Sequence, residues 1–141
     1  MPDKDVVLAK VATIQRCLKR IKDTTGLDPK SLDDIDKQDI FILNLQRAVQ
    51  AAVDLATHIV ASEGLGLSDT IKDNFKLLKH AGIINEQLAL RMQSMVGFRN
   101  IAIHDYRAID KGILKSILAN NLKDVEDFYT VVLVRFKIAG E

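Results

Sequence analysis

The chain has 141 residues, of which 48% are hydrophobic and 28% are charged, and its formal net charge is +1. A chain of this length and composition is expected to form a single soluble domain over residues 1–141. The near-neutral charge excludes a general nucleic-acid binder of strongly basic composition, and the absence of an 18-residue apolar run argues against a membrane span.

Apolar residues recur every three or four positions almost throughout the chain, whereas the alternating pattern of β-strands is absent. The sequence therefore predicts an all-α protein, an up-down four-helix-type bundle with additional short helices. The first helix is predicted over residues 5–22, before Gly26, and the longest over residues 36–63, closed by Gly64 and Gly66.

A third, short helix is expected between an N-cap at Ser68 or Asp69 and a terminating Gly82. Asn85 can cap the fourth helix, which carries an apolar stripe into residues 97–106. Two further helical stretches are predicted, over residues 111–119 and 122–138.

Two features of the sequence indicate a cytoplasmic protein. The single cysteine, Cys17, has no disulfide partner in the chain, as is usual in a reducing compartment. Asp3, Lys4 and Asp5 precede any apolar run, unlike the start of a secretory signal peptide. We therefore expect a cytoplasmic location, with Cys17 as a small buried side chain rather than a catalytic thiol.

The common signatures of phosphate loops, zinc sites and di-iron bundles are absent from the sequence, so we expect no metal and no cofactor. Asp54 and His58 lie four residues apart on one face of the longest predicted helix, where they could supply two ligands. Two ligands do not complete a metal site, and we interpret the pair as hydrogen-bonded side chains lining a polar pocket or the surface. His80 is expected at the end of the short helix, where the helix dipole favours a cation.

One polar cluster remains, within residues 99–106, and its residue types fit cleavage of the RNA backbone. Metal-free cleavage needs a base that takes the ribose 2′-hydroxyl proton and a fixed cation that stabilises the phosphate charge. His104 supplies the base, since an unperturbed histidine has a pKa of about 6.5, and Arg99 supplies a planar guanidinium. Asn100 could orient the histidine or hold a phosphate oxygen. The charges of Asp105 and Arg99 would act on His104 in opposite directions, and the sequence leaves their balance open.

On a straight helix, Arg99 and His104 would not point to the same side. Five residues turn an α-helix by about 500°, which leaves the two side chains about 140° apart and about 7.5 Å apart along the axis. Either the helix bends or ends in this segment, with Gly97 as a possible weak point, or a two-fold axis brings the pairs of two subunits together. We expect both to contribute.

A homodimer would gather positive charge in one cleft between its subunits. Arg107, Lys111 and Lys115 are expected to add to that charge, so that a near-neutral protein could bind RNA there. Whether such dimers associate further is left open.

Residues 99–106, RNIAIHDY, resemble the R-x-x-x-x-H-x-Y signature of HepT toxins, a specialised form of the HEPN motif. Residues 45–56, LQRAVQAAVDLA, are similar to the long helix of that family. The predicted order of helices also resembles the family's order over nearly the whole chain.

The resemblance implies a HEPN-like bundle that acts as a homodimeric, metal-independent endoribonuclease and leaves a 2′,3′-cyclic phosphate. Arg99 and His104 take the catalytic positions, and transfer RNA or messenger RNA is the expected target. In the family, the toxin is encoded beside a minimal nucleotidyltransferase antitoxin that transfers AMP onto the motif tyrosine, here Tyr106. A phosphate and an adenosine two residues from the base would exclude RNA by charge and by volume, which requires Tyr106 to point into the cleft.

Two other interpretations remain open at this stage. Residues 99–106 could be the polar end of a bundle helix, with Arg99 and His104 hydrogen-bonded to neighbours. Alternatively, a HEPN-like bundle could bind a nucleotidyltransferase partner or a nucleotide without any ribonuclease role. The presence of Arg99, His104 and Tyr106 together favours the catalytic interpretation.

Overall fold

Helices make up all the regular structure of residues 1–139, which are the residues that the computed structural model describes; of Arg107 only the backbone is described. In chain order they are α1 (Lys4–Thr25), α2 (Ile35–Ser62), α3 (Ile71–His80), α4 (Glu86–His104), α5 (Lys111–Asn120) and α6 (Leu122–Arg135). Two 3-10 helices, Pro29–Asp33 and Tyr106–Ala108, lie in connections that the sequence pattern did not resolve. The all-α prediction is confirmed: α1, α2, α4 and α6 form the bundle, and α3 and α5 are the short additions.

The ends of α1 and α6 lie three residues from the predicted ends. α1 continues through Thr25 because Gly26 is the first residue with a left-handed backbone, at φ 62°. α6 was predicted to reach Ile138 but ends at Arg135. Beyond it the chain turns, and Lys137 has a φ of 55°, which is incompatible with a continuing helix.

The start of α3 differs from the prediction, whereas the start of α4 agrees with it. Neither Ser68 nor Asp69 caps α3; Thr70 does, and its side chain and that of Asp73 form a reciprocal capping box. Asn85 caps α4 as predicted, because its side chain accepts a backbone N–H of the first turn.

α2 is the central helix, since it packs against α1, α3, α4 and α6. α1 runs antiparallel to it: the backbone N–H of Asp3 donates to His58 Nε2, and Lys10 forms an ion pair of 3.1 Å with Asp54. In the core, the ring of Phe75 on α3 meets the ring of Phe128 on α6 edge to face, with centroids 5.3 Å apart. None of the helices in residues 1–139 has the length and hydropathy of a membrane-spanning segment.

α5 is attached to the N-terminal half of the molecule through Asp33, at the end of the first 3-10 helix. Lys115 Nζ lies 2.9 Å and Lys111 Nζ 3.4 Å from Asp33 Oδ1. The hydrogen bonds from Lys115 and Lys111 hold the pKa of the Asp33 carboxyl below its ordinary value. The connection between Asp33 and α5 therefore depends on the ionised carboxylate.

We predict that Asp33→Asn lowers the melting temperature at about pH 7 and that this deficit shrinks as the pH falls below about 4. A carboxyl whose pKa is lower in the folded state stabilises the fold above its unfolded pKa of about 3.9, and this contribution is lost as the pH falls through the folded value. Thermal unfolding of both proteins across this range measures the difference. Asp127→Asn, an exposed change on α6, is the control; an Asp33→Asn deficit that stays constant with pH would contradict the ion-pair explanation.

Candidate active site

The polar cluster of residues 99–106 lies at the C-terminal end of α4 and in the turn that follows it. α4 continues from Glu86 to His104 with Gly97 inside it, so the helix does not end at Gly97, the possible weak point. Gly97 keeps a helical backbone, and the buried neighbours Val96 and Phe98 anchor that turn in the core. The helix instead ends directly after the histidine, where Asp105 leaves helical geometry at φ −150° and donates its backbone N–H to the carbonyl of Ile101.

The guanidinium of Arg99 is held by two neutral amide side chains. Its Nε donates to Gln50 Oε1 on α2 at 2.6 Å, and its Nη1 donates to Asn100 Oδ1 at 2.8 Å. These two bonds use two of the five N–H groups of an arginine. The remaining three, one on Nη1 and two on Nη2, include the pair of nitrogens that can grip a phosphate in a bidentate manner.

Gln50 is itself fixed by a chain of polar contacts that crosses three helices. Its Nε2 donates to Asp54 Oδ1 at 2.8 Å, and Asp54 Oδ2 accepts from Lys10 of α1 at 3.1 Å. Because both ends of the Gln50 amide are engaged, the orientation of its oxygen toward Arg99 is set. The position of Arg99 on α4 is thereby coupled to α1 and α2.

His104 is exposed at the last position of α4. Among the described residues its imidazole has no hydrogen-bond partner, which leaves both ring nitrogens accessible from solvent. Asn100, which the sequence suggested could orient the histidine or hold a phosphate oxygen, accepts a hydrogen bond from Arg99 and does not contact His104. Spacing alone does not decide this contact, because Asn100 and His104 lie four residues apart on one face of α4, whereas the Asn100 side chain adopts a rotamer that reaches the Arg99 guanidinium.

Tyr106 lies in the 3-10 turn after α4 with 43% of its surface exposed, rather than in the core. Its hydroxyl donates to Asp39 Oδ1 at the start of α2. The phenol is therefore at the surface, on the same side of α2 as Gln50, since residues 39 and 50 are separated by close to three full turns.

The remaining predicted site residues are divided between this region and α5. Asp105 is exposed and serves as the C-terminal cap residue of α4. Lys111 and Lys115 are brought together, but by Asp33, which offsets part of their charge. The side chain of Arg107 lies outside the described part of the structure.

Asp54 and His58 do not bond each other, so the interpretation as a mutual pair is wrong. Asp54 accepts from Gln50 and Lys10, whereas His58 accepts the backbone N–H of Asp3. Both are polar links between helices, and within residues 1–139 no group of three or more His, Cys, Asp or Glu is arranged to hold a metal ion. His80 ends α3 as predicted.

Two residues of the site were missed by the sequence analysis, Gln50 and Asp39. Their partners Arg99 and Tyr106 are 49 and 67 residues away along the chain. The only available signal was that Gln50 lies among otherwise apolar residues of the long helix, which identifies it as an unusual position but does not identify its partner.

Comparison with known proteins places this geometry in a family. The family model described as "Ribonuclease HepT-like" matches residues 14–132. The mRNA nuclease HepT of Shewanella oneidensis is 38% identical over 128 residues, which cover 91% of this chain and 96% of that protein.

Solved structures agree with the same assignment. A toxin–antitoxin complex with AMP-PNP matches with a TM-score of 0.87 and 37% identity, over 92% of this chain and 98% of that one. The tri-AMPylated HEPN toxin of Shewanella oneidensis, in complex with its MNT antitoxin, matches with a TM-score of 0.86 and 38% identity over the same shares.

Proposed function

The chain belongs to the HepT-like ribonuclease family, and we propose that it is a toxin that cleaves RNA without a metal ion, using His104 as the base and Arg99 as the phosphate-stabilising cation. The observation that carries this proposal is the guanidinium of Arg99, which two neutral amides hold in place while three of its N–H groups stay available. A preorganised cation of this kind stabilises charge where it develops in the transition state.

The proposed reaction follows from the positions of these groups. A nitrogen of His104 takes the proton of the ribose 2′-hydroxyl, and the 2′-oxygen attacks the adjacent phosphorus. The bond to the 5′-oxygen of the next nucleotide breaks, and this oxygen takes a proton from water while His104 returns its own proton to solvent, which leaves a 2′,3′-cyclic phosphate and a 5′-hydroxyl. Arg99 binds the non-bridging phosphate oxygens as their negative charge increases.

A homodimer would complete this site. Because α4 is continuous through His104, Arg99 and His104 leave it about 140° apart, and Arg99 turns toward α2 whereas His104 faces solvent. Ile101 and Ile113, 50% and 54% exposed, line one groove at the surface of α4 and α5 and offer apolar area to a partner. We propose a two-fold dimer in which Arg99 of one subunit and His104 of the partner subunit act on one phosphate.

Control of the toxin by nucleotide transfer is the second part of the proposal. Tyr106 is exposed, and the hydrogen bond to Asp39 fixes its hydroxyl at the surface, where the active site of an MNT-type antitoxin could reach it. Attack of this oxygen on the α-phosphorus of ATP releases pyrophosphate and the phenolic proton, and it leaves AMP two residues from His104. The added negative charge and volume then exclude RNA.

We predict that Arg99→Ala lowers RNA cleavage by about 10²–10³-fold and His104→Ala by about 10²–10⁴-fold, since one removes the oxyanion donor and the other the base. Purified proteins are incubated with RNA in excess chelator, and the fragments and their 3′ ends are analysed. Cyclic phosphate ends from the wild-type protein alone would support the proposal. Intact RNA with every substrate tested, together with retained antitoxin binding, would identify a non-catalytic interaction protein.

The Arg99→Ala and His104→Ala variants also test whether the two side chains act together across the subunit interface. If Arg99 and His104 come from different subunits, a mixture of the two inactive proteins contains heterodimers with one intact site. Random exchange then restores about a quarter of the wild-type activity. No recovery after verified exchange would show that the pair does not act across the interface in this way.

Gln50→Leu is predicted to lower cleavage roughly tenfold or more, because misplacement of a catalytic group by about 1 Å can cost about 10²-fold. The leucine keeps the size of the side chain but removes the acceptor of Arg99 Nε. In the Arg99→Ala background the same change should have no further effect, since Gln50 acts through Arg99. Equal losses from Gln50→Leu in both backgrounds would contradict this positioning role.

AMP transfer should be confined to one of the two tyrosines in the chain. The protein is incubated with an MNT-type antitoxin and ATP, and the adenylate groups added are counted by intact mass. Tyr106→Phe is expected to abolish the modification, whereas Tyr129→Phe, at a half-buried position on α6, leaves it unchanged. Undiminished modification of the Tyr106→Phe protein would refute the assignment.

A further inference from the structure

A groove between α1 and α2 is lined by three arginines. Arg16 and Arg20 lie one turn apart on α1, and Arg47 faces them from α2 across a cavity of about 390 Å³. We call this feature the arginine groove. Thr13 and Asn44 add polar surface to its walls, and no aspartate or glutamate lines it.

The three guanidiniums are free to bind a ligand. All three side chains are exposed, and within residues 1–139 none of them forms an ion pair. Arg16 donates once, to Thr13 Oγ1 at 3.3 Å. Unlike Lys111 and Lys115, whose charge is partly offset by Asp33, these cations keep their full charge for a partner.

The pKa of the Cys17 thiol supports the conclusion that arginines of α1 and α2 come together at this groove. Burial raises the pKa of the Cys17 thiol, and the positive charges of Arg47 and Arg16 oppose that rise. Arginines from two different helices therefore act on one side chain at the base of the groove.

The groove lies next to the residue that holds the catalytic arginine. Arg47 precedes Gln50 by three residues on α2, which places it about 4.5 Å along the axis and about 60° around the helix from Gln50. Gln50 in turn bonds Arg99. Positive charge thus extends from Arg99 over the surface of α2 into the groove.

We propose that the arginine groove binds backbone phosphates of the RNA strand that is cleaved at Arg99 and His104. This inference rests on the proposed ribonuclease function, and it adds where the RNA strand lies on the surface of the protein. The guanidinium group is well suited to bind phosphate, because its coplanar N–H groups can donate two parallel hydrogen bonds to two phosphate oxygens. The groove also lacks the apolar centre of a protein interface, since Leu43 is its only exposed large hydrophobic residue among those described.

The test compares two triple variants that lose the same amount of positive charge. The groove variant is Arg16→Gln/Arg20→Gln/Arg47→Gln. The control variant is Lys22→Gln/Lys123→Gln/Arg135→Gln, which changes three exposed cations outside the groove. Binding of a fluorescent single-stranded 2′-O-methyl RNA, which cannot supply the attacking 2′-hydroxyl, is measured by anisotropy at a series of salt concentrations. Thermal unfolding verifies that both variants are folded.

We expect the slope of log K against log salt to become shallower by about two in the groove variant, since each phosphate neutralised on a single strand contributes about 0.7. The control variant should keep a slope close to that of the wild type. With cleavable RNA, the groove variant should show a raised KM and an unchanged kcat, as expected when binding is lost equally in the ground and transition states. Arg→Lys changes at the three positions should keep the salt slope but weaken affinity.

Equal salt slopes and KM values in the two triple variants would overturn the inference, even if the wild-type protein cleaves RNA. So would a groove variant that loses antitoxin binding while its RNA binding is unchanged, since the groove would then be a protein interface. If no RNA is cleaved but the slope falls as expected, the ribonuclease proposal fails and the phosphate-binding groove stands. Absence of both cleavage and RNA binding would reject the two together.

Discussion

The hydrogen bond from Arg99 Nε to Gln50 Oε1 is the contact on which the candidate site depends. An arginine side chain near the end of a helix can adopt many rotamers, and fixing it costs conformational entropy. Here that cost is met once, on folding, because Gln50 is itself bonded to Asp54, and Asp54 to Lys10. In the proposed reaction, the guanidinium would therefore be in place before RNA binds, which is the arrangement that electrostatic catalysis requires.

α2 links the separate parts of the site, because different sectors of its surface serve different roles. Its apolar sector lies in the core against α1, α3, α4 and α6. Its polar positions contact Tyr106 through Asp39, contact Arg99 through Gln50, and contribute Arg47 to the arginine groove. Since Asp39, Gln50 and Arg47 all lie on one helix, Tyr106, Arg99 and the arginine groove are held in place by the same element, and a substitution that shifts α2 would disturb them together.

The helical architecture was predictable because it follows from local rules, namely apolar periodicity and capping residues such as Asn85. The polar residues of the motif were also recognisable, because they stand together within residues 99–106. Their contacts were not predictable. Gln50 and Asp39 meet Arg99 and Tyr106 only through the packing of α2 against the end of α4, at separations that periodicity does not encode. The contact of Asn100 with Arg99 was not predictable for a related reason: the choice between Arg99 and His104 as its neighbour depends on rotamers, which residue spacing does not specify.

Both side chains that hold Arg99 are uncharged amides, Gln50 and Asn100. A carboxylate at either position would hold the guanidinium more tightly but would also neutralise it, and its hold would weaken on protonation in acid. With amides, neither the support nor the charge of the arginine titrates between acidic and alkaline conditions. The hold on Arg99 thus rests on groups that carry no charge of their own and cannot cancel that of the guanidinium.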